Sequence, residues 1–247
     1  MGEMVLGDRP VAKVCLAVLL LQSVVTAGGL IFLPLLRVER HGWRGARPWQ
    51  LIIYFVGIGL GFILVEMALL GRFVLFLGQP IYAYAAVLAT LLIFTGIGSR
   101  CSTNLLEESP ITLPLVLLLI PVLLAAGVGI VPQLFTLALG WPLAGRLALS
   151  VGILAPLGMI LGIPFPSGLR MIAQQSTSLL PWAWGISSFF TVIGTILASI
   201  LGMTFGFDSV LLLGGVSYLL ALCAISLRQF GMSERPGRTD QATVIPV

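Results

Sequence analysis

QLIIYFVGIGLGFILVEMALLGRFVLFLG, residues Gln50–Gly78, decides the class of fold. About 20 apolar residues cross the hydrocarbon core of a bilayer, and this run exceeds that with two charges, Glu66 and Arg72. An ionised carboxylate at that depth costs at least a few kcal/mol, so Glu66 must be protonated, close to an interface, or paired. Arg72, the nearest cation in sequence, lies six residues on. On an ideal helix that offset is about 240° of rotation, so a direct Glu66–Arg72 pair requires the chain to turn near Gly71. A helix ending or kinking at Gly71–Arg72 is therefore expected, followed by FVLFLGQP, which is too short to span.

The rest of the chain has the same character. Over 247 residues, 58% are hydrophobic and only 9% charged, with mean hydropathy +1.11. That excludes an ordinary soluble domain and leaves length for about six to eight spans, with no room for a soluble domain beside them. The net charge of +4 sits almost wholly between the apolar runs. Orientation and headgroup contact follow from that pattern, not nucleic-acid binding. Cys15, Cys101 and Cys223 are far apart and read as buried thiols, not as a metal or redox site. His41 is the single histidine, so paired imidazoles for an intramembrane haem are not available. No cofactor and no metal are expected.

Along the sequence, residues 1–10 form a short polar N-terminus and 11–228 a transmembrane helical domain. Residues 229–247 form a polar tail expected to be disordered. The fold expected is all-α, a polytopic membrane bundle of about seven helices. These cover Val11–Leu36, a helix from Gln50, Ile81–Gly98, Ile111–Val131, Leu147–Ile163, Pro181–Phe205 and Asp208–Leu227. The first reads as a true span, not a signal peptide. PQLFTLALGWPLAGR, residues 132–146, is apolar but interrupted by Pro142 and two glycines, and reads as a broken, interfacial or re-entrant segment. With seven spans, nine arginines fall on one side (Arg37 to Arg47, Arg100, Arg170 and the tail). The positive-inside bias then puts the N-terminus out and the C-terminus in.

Five features are candidates for chemistry or packing. Glu66 with Arg72 is either a structural tie or a ligand or proton site. GIPFPSGLR removes backbone donors at Pro164 and Pro166, so freed carbonyls and Arg170 could meet a polar ligand, or simply end a helix with an arginine anchor. Gly57 and Gly61 make a small-xxx-small pair, and Ser188, Thr191, Thr195 and Ser199 share one helical stripe, both of which suit close helix packing. Asp208, just before Ser209 and an apolar run, reads as a helix N-cap. No Ser–His–Asp, Cys–His or paired-carboxylate constellation occurs, so no catalytic residue is assigned and catalysis by this chain alone is not expected.

The run YFVGIGLGFILVEMALLGRFVLFLGQPIYAYAAVLATLLIFTGIGS (Tyr54–Ser99) resembles the membrane portion of the bacterial membrane-bound spermidine synthase-like proteins. APLGMILGIPFPSGLR and PWAWGISSFFTVIGTILASILGMTFGF resemble that family's following helices in the same order, so the likeness covers most of residues 50–228. The family joins such helices to a Rossmann-type aminopropyltransferase-like domain, which needs a glycine-rich strand–turn–helix and acidic residues for the amine. This chain carries neither. The resemblance implies a non-catalytic membrane subunit or anchor in the bacterial inner membrane, with the lipid bilayer and other protein subunits or a separate soluble domain as partners. The alternative is a small transporter of polyamine or another cation working through Glu66.

Overall fold

The structure, a computed structural model, describes residues 8–38, 48–108, 112–174 and 177–233. The arginine-rich connection at 39–47, with His41, and the tail from 234 lie outside the described residues, as does Pro110.

Among the described residues eight α-helices follow one another: α1 (Asp8–Val38), α2 (Pro48–Leu77), α3 (Pro80–Glu108), α4 (Thr112–Ala138), α5 (Leu143–Leu161), α6 (Pro164–Ala173), α7 (Leu180–Phe205) and α8 (Phe207–Ser233). A single 3₁₀ turn, Thr177–Leu179, leads into α7. Among the described residues seven segments are long and apolar enough to cross a membrane, α5 and α6 together making one of them, Leu143–Ala173. The fold is an all-α bundle of membrane-spanning length.

Local chemistry explains the boundaries. Pro48 and Pro80 open α2 and α3, where a missing N–H leaves no helical bond unmade. Gly78 ends α2 at φ +77°, its N–H returning 3.1 Å to the Val74 carbonyl. Gly206, at φ +86°, is the only residue between α7 and α8. Pro114 falls in the first turn of α4, while Pro121 and Pro132 lie inside it.

Several boundaries differ from the sequence expectation, and α3 runs past the expected end at Gly98 to Glu108. α2 does not end or kink off at Gly71–Arg72 but runs to Leu77, because FVLFL continues the buried stripe and the left-handed stop is about two turns later at Gly78. At 132–146 the break falls at 139–142 and both flanks are helix: 132–138 complete α4 through Pro132, and α5 starts at Leu143, so no re-entrant loop forms. α8 continues past Arg228 to Ser233.

α2 is the axis of the bundle. It packs along most of its length on α8 and α7, while α3 packs on α5, α4 on α8, and α1 chiefly on α7. Phe55, Leu64, Val65, Phe73, Leu154, Leu211 and Tyr218 fill the centre with almost no exposed surface. Each crossing is set by glycines. A side-chain carbon on Gly57 would stand 2.6 Å from the Ser217 carbonyl oxygen of α8, and one on Gly59 2.6 Å from the Ser187 carbonyl oxygen of α7. On Gly98 it would stand 1.9 Å from the Met159 carbonyl oxygen of α5. Without a strong hydrophobic force between helices in lipid, such contacts are what hold the bundle. Cys15, Cys101 and Cys223 are exposed, not buried as expected. An apolar-tolerant thiol is as well accommodated against lipid as against protein.

Candidate functional site

Two places concentrate the unusual residues: one end of α2, and a cleft alongside its middle.

At the C-terminal end of α2, Arg72 is buried yet faces Asp208 in the first turn of α8. Its Nε donates 2.8 Å to Asp208 Oδ1, Nη2 donates to the same oxygen, and Nη1 donates 3.3 Å to the Gly127 carbonyl of α4. One guanidinium thus joins three helices. Asp208 does not serve as the N-cap expected of it: Gly206 makes the turn, and the carboxylate pairs with Arg72 instead. Its place in the first turn of α8 is still favourable to a negative charge. Close by, Arg146 of α5 donates 3.1 Å to the Phe76 carbonyl, capping the C-terminus of α2 with a cation.

Glu66 is not part of this cluster. Because α2 is unbroken, the 240° offset stands and Arg72 is turned away from it. Glu66 is half-buried, with no hydrogen bond or ion pair among the described residues. Of the two readings for this carboxylate, the structural tie to Arg72 is not made among the described residues.

The second place is a cleft of about 610 Å³ between α3 and α7. Ile58, Gly59 and Phe62 of α2 form its floor, and Leu161, Gly162, Phe165 and Pro166 form its end wall. Leu92 and Gly96 on α3 and Trp184, Ser188 and Val192 on α7 are exposed at its mouth. Glu66 lies one helical turn beyond Phe62 on the same side of α2.

The proline break builds that end wall. α5 stops at Leu161, and Pro164 and Pro166 fall in the first turn of α6, where their missing donors matter least. The neighbouring carbonyls find partners. Tyr54 Oη donates 2.7 Å to the Pro164 carbonyl, and Ser167 Oγ donates 2.6 Å to the Ile163 carbonyl. Gly168 makes the first of these possible, since a side-chain carbon there would stand 2.2 Å from the Tyr54 ring. Phe55, Phe165 and Trp184 then run edge to face from α2 to α7, at 5.8 and 4.8 Å between ring centroids. Arg170 follows one turn after Pro166, half-buried, with no hydrogen bond or ion pair among the described residues.

The hydroxyl stripe of α7 is turned inward on itself. Thr191, Thr195 and Ser199 each donate to the carbonyl four residues back, at 2.9, 3.0 and 3.0 Å. Thr191 alone also reaches across to α2, 3.4 Å from the Gly59 carbonyl. Ser188 and Thr191 line the cleft, whereas Thr195 and Ser199 lie beyond it. Gly57 and Gly61 face α8, away from the cleft.

Sequence reasoning missed Tyr54, Arg146, Phe165 and the α3–α5 contact. The last had a signal, since Gly158 and Gly162 are a second small-xxx-small pair and Gly162 meets the Thr95 backbone. No group of three or more His, Cys, Asp or Glu side chains that could hold a metal occurs among the described residues.

Fold and site together define a multi-pass helical membrane protein with a cleft open on its side. No family model matches the chain, and no curated protein or solved structure matches it.

Proposed function

We propose that the chain is a non-catalytic integral membrane subunit that assembles with partner proteins. The observation that supports this is how its intramembrane polar groups are used. Arg72, Asp208, Arg146 and Tyr54 all bond between helices, and the hydroxyls of Thr191, Thr195, Ser199 and Thr204 on α7 bond to helix backbone. Among the described residues that leaves Glu66 and the Gln50 amide nitrogen on α2, Arg170 on α6 and the Tyr218 hydroxyl on α8 without a bonded partner, which is not a convergent set of acid, base and nucleophile. The resemblance to the membrane portion of the spermidine synthase-like proteins supports a soluble aminopropyltransferase-like partner and a place in the bacterial inner membrane. The arginine distribution along the sequence supports an outside N-terminus and an inside C-terminus. Purification in mild detergent followed by mass determination tests the reading. A stoichiometric second polypeptide is expected, and a solitary chain from its native membrane would overturn it.

A second reading, a small carrier of polyamine or another cation, is favoured by one observation. Glu66 has no bonded partner among the described residues and lies one turn from Phe62 on the cleft floor. Cation flux into proteoliposomes that is abolished by Glu66→Gln is the result this reading requires. Flux indifferent to that change removes it.

A further inference from the structure

The directions of the helices give the cleft two unlike ends. α2 and α7 start on the side of the bundle where α3 and α6 finish. Towards that side the lining is Ser99, Pro166 and Trp184, and towards the middle of the spans it is Phe62, Leu92 and Val192. From Trp184 to Val192 the cleft covers about 12 Å of helix. Its walls are largely apolar, and the hydroxyls of Thr95 and Thr191 are already engaged with carbonyls of their own helices, at 2.6 and 2.9 Å. Of the lining hydroxyls only those of Ser99, Ser187 and Ser188 are left for a polar solute, and the rest of the wall is apolar.

Just beyond the outer end stands a positive charge. Arg170 is one turn past Pro166 and three residues from the end of α6 at Ala173, which sets it at headgroup depth. It is half-buried and unpaired among the described residues, so its charge is available within the reach of a long side chain. Trp184, exposed at the same end, suits the same interfacial level.

We propose that this cleft binds one phospholipid with an anionic headgroup, an acyl chain lying along Phe62, Leu92 and Val192 and the phosphate pairing with Arg170. The combination of an apolar slot and the Arg170 cation at its interfacial end is complementary to such a molecule. A partner helix, 10–12 Å across with its side chains, needs a trough running the length of a span, and this one covers less than half of α7. A free anion would leave the apolar walls uncovered. The site is independent of the subunit role, since lipid retention and partner retention are read separately.

The test uses the full chain in nanodiscs of equal phosphatidylglycerol and phosphatidylcholine, released into mild detergent for native mass spectrometry. The wild type is expected to keep one phospholipid, enriched in phosphatidylglycerol. Arg170→Gln should lower that enrichment about fivefold while a phospholipid is still retained, and Arg170→Lys should restore most of it. Gly96→Phe should remove the retained lipid of either kind, because a side chain at Gly96 enters open space in the cleft and meets no neighbour within 4 Å. Should Gly96→Phe fail to fold, the two Arg170 variants decide alone. No retained lipid in the wild type, a protein chain in its place, unchanged enrichment in Arg170→Gln, or undiminished retention in folded Gly96→Phe would each overturn the proposal.

Discussion

Arg72 Nε and Asp208 Oδ1 lie 2.8 Å apart although their residues are 136 positions apart in the chain. The pair closes α2 against α8 at the end where both meet α4. Its partners are unequally placed, the arginine side chain 9% exposed and the aspartate 60%. The exposed carboxylate loses little solvation, while the arginine depends on it, so the bond is asymmetric in consequence. Removing the carboxylate leaves the guanidinium with the Gly127 carbonyl alone among the bonds described.

Asp208→Asn, which keeps an acceptor oxygen and removes the charge, is therefore expected to lower stability by about 1 kcal/mol, part of what a hydrogen bond to a charged group contributes. Asp208→Glu should recover part of it. Arg72→Lys should be nearly as damaging as Asp208→Asn, since an ammonium cannot reach α8 and α4 together in the same fork. Thermal unfolding in detergent reads all three, and an unchanged midpoint for Asp208→Asn would remove the pair from the account.

The α3–α5 crossing offers a sharper contrast between two glycines. A side-chain carbon at Gly98 would stand 1.9 Å from the Met159 carbonyl oxygen, which is backbone and cannot rotate aside. At Gly96, two residues earlier, it would meet nothing within 4 Å. Gly98→Ala should separate the two helices and sharply reduce the yield of folded protein. Gly96→Ala should be neutral or slightly stabilising, because alanine is the better helix former by about 1 kcal/mol. Monodispersity on size exclusion beside thermal unfolding distinguishes them. Equal behaviour of the two variants would mean that α3 and α5 do not cross at Gly98.

What could be read from sequence follows from what each kind of signal reports. Hydropathy is a property of a run, so the seven spans and the proline break after Ile163 were legible. The stop of α2 was not, because Gly71 and Gly78 are the same residue type and only the backbone torsion separates them. Gly78 adopts φ +77°, whereas Gly71 stays helical and makes room for the Phe207 ring. Pairing across the bundle was less legible still. Arg72 has Glu66 nearby in sequence and Asp208 far away, and only the continuity of α2 decides between them. The cleft has no sequence signature at all, since it is made of residues from five helices that the topology happens to leave apart.

The hydrogen bond from Tyr54 to the Pro164 carbonyl ties α2 to the helix break. Interhelical bonds within membranes average about 0.6 kcal/mol, and seldom exceed about 1.7. Tyr54→Phe should cost an amount in that range and leave the fold intact, whereas Gly168→Ala should cost more. The added carbon would stand 2.2 Å from a ring with almost no free space around it. Measured together by unfolding, Gly168→Ala should be the worse of the two. The reverse order would show that the ring has room to move.

Glu66 supplies the last prediction, because its two roles have opposite consequences. If this carboxylate tied helices together, Glu66→Gln would weaken a charge-assisted bond and destabilise the protein, as Asp208→Asn is expected to do. The structure gives it no such bond among the described residues, only half-burial on the long apolar helix α2. An isolated acidic group in that setting costs free energy whichever way it is accommodated, and the amide avoids part of that cost. Glu66→Gln is accordingly expected to leave the unfolding midpoint unchanged or to raise it. A clear fall would reveal a bonded partner for Glu66 beyond the described residues. A residue that costs stability and contributes no tie within the bundle is one whose use must be sought outside it, in a cation or a partner chain.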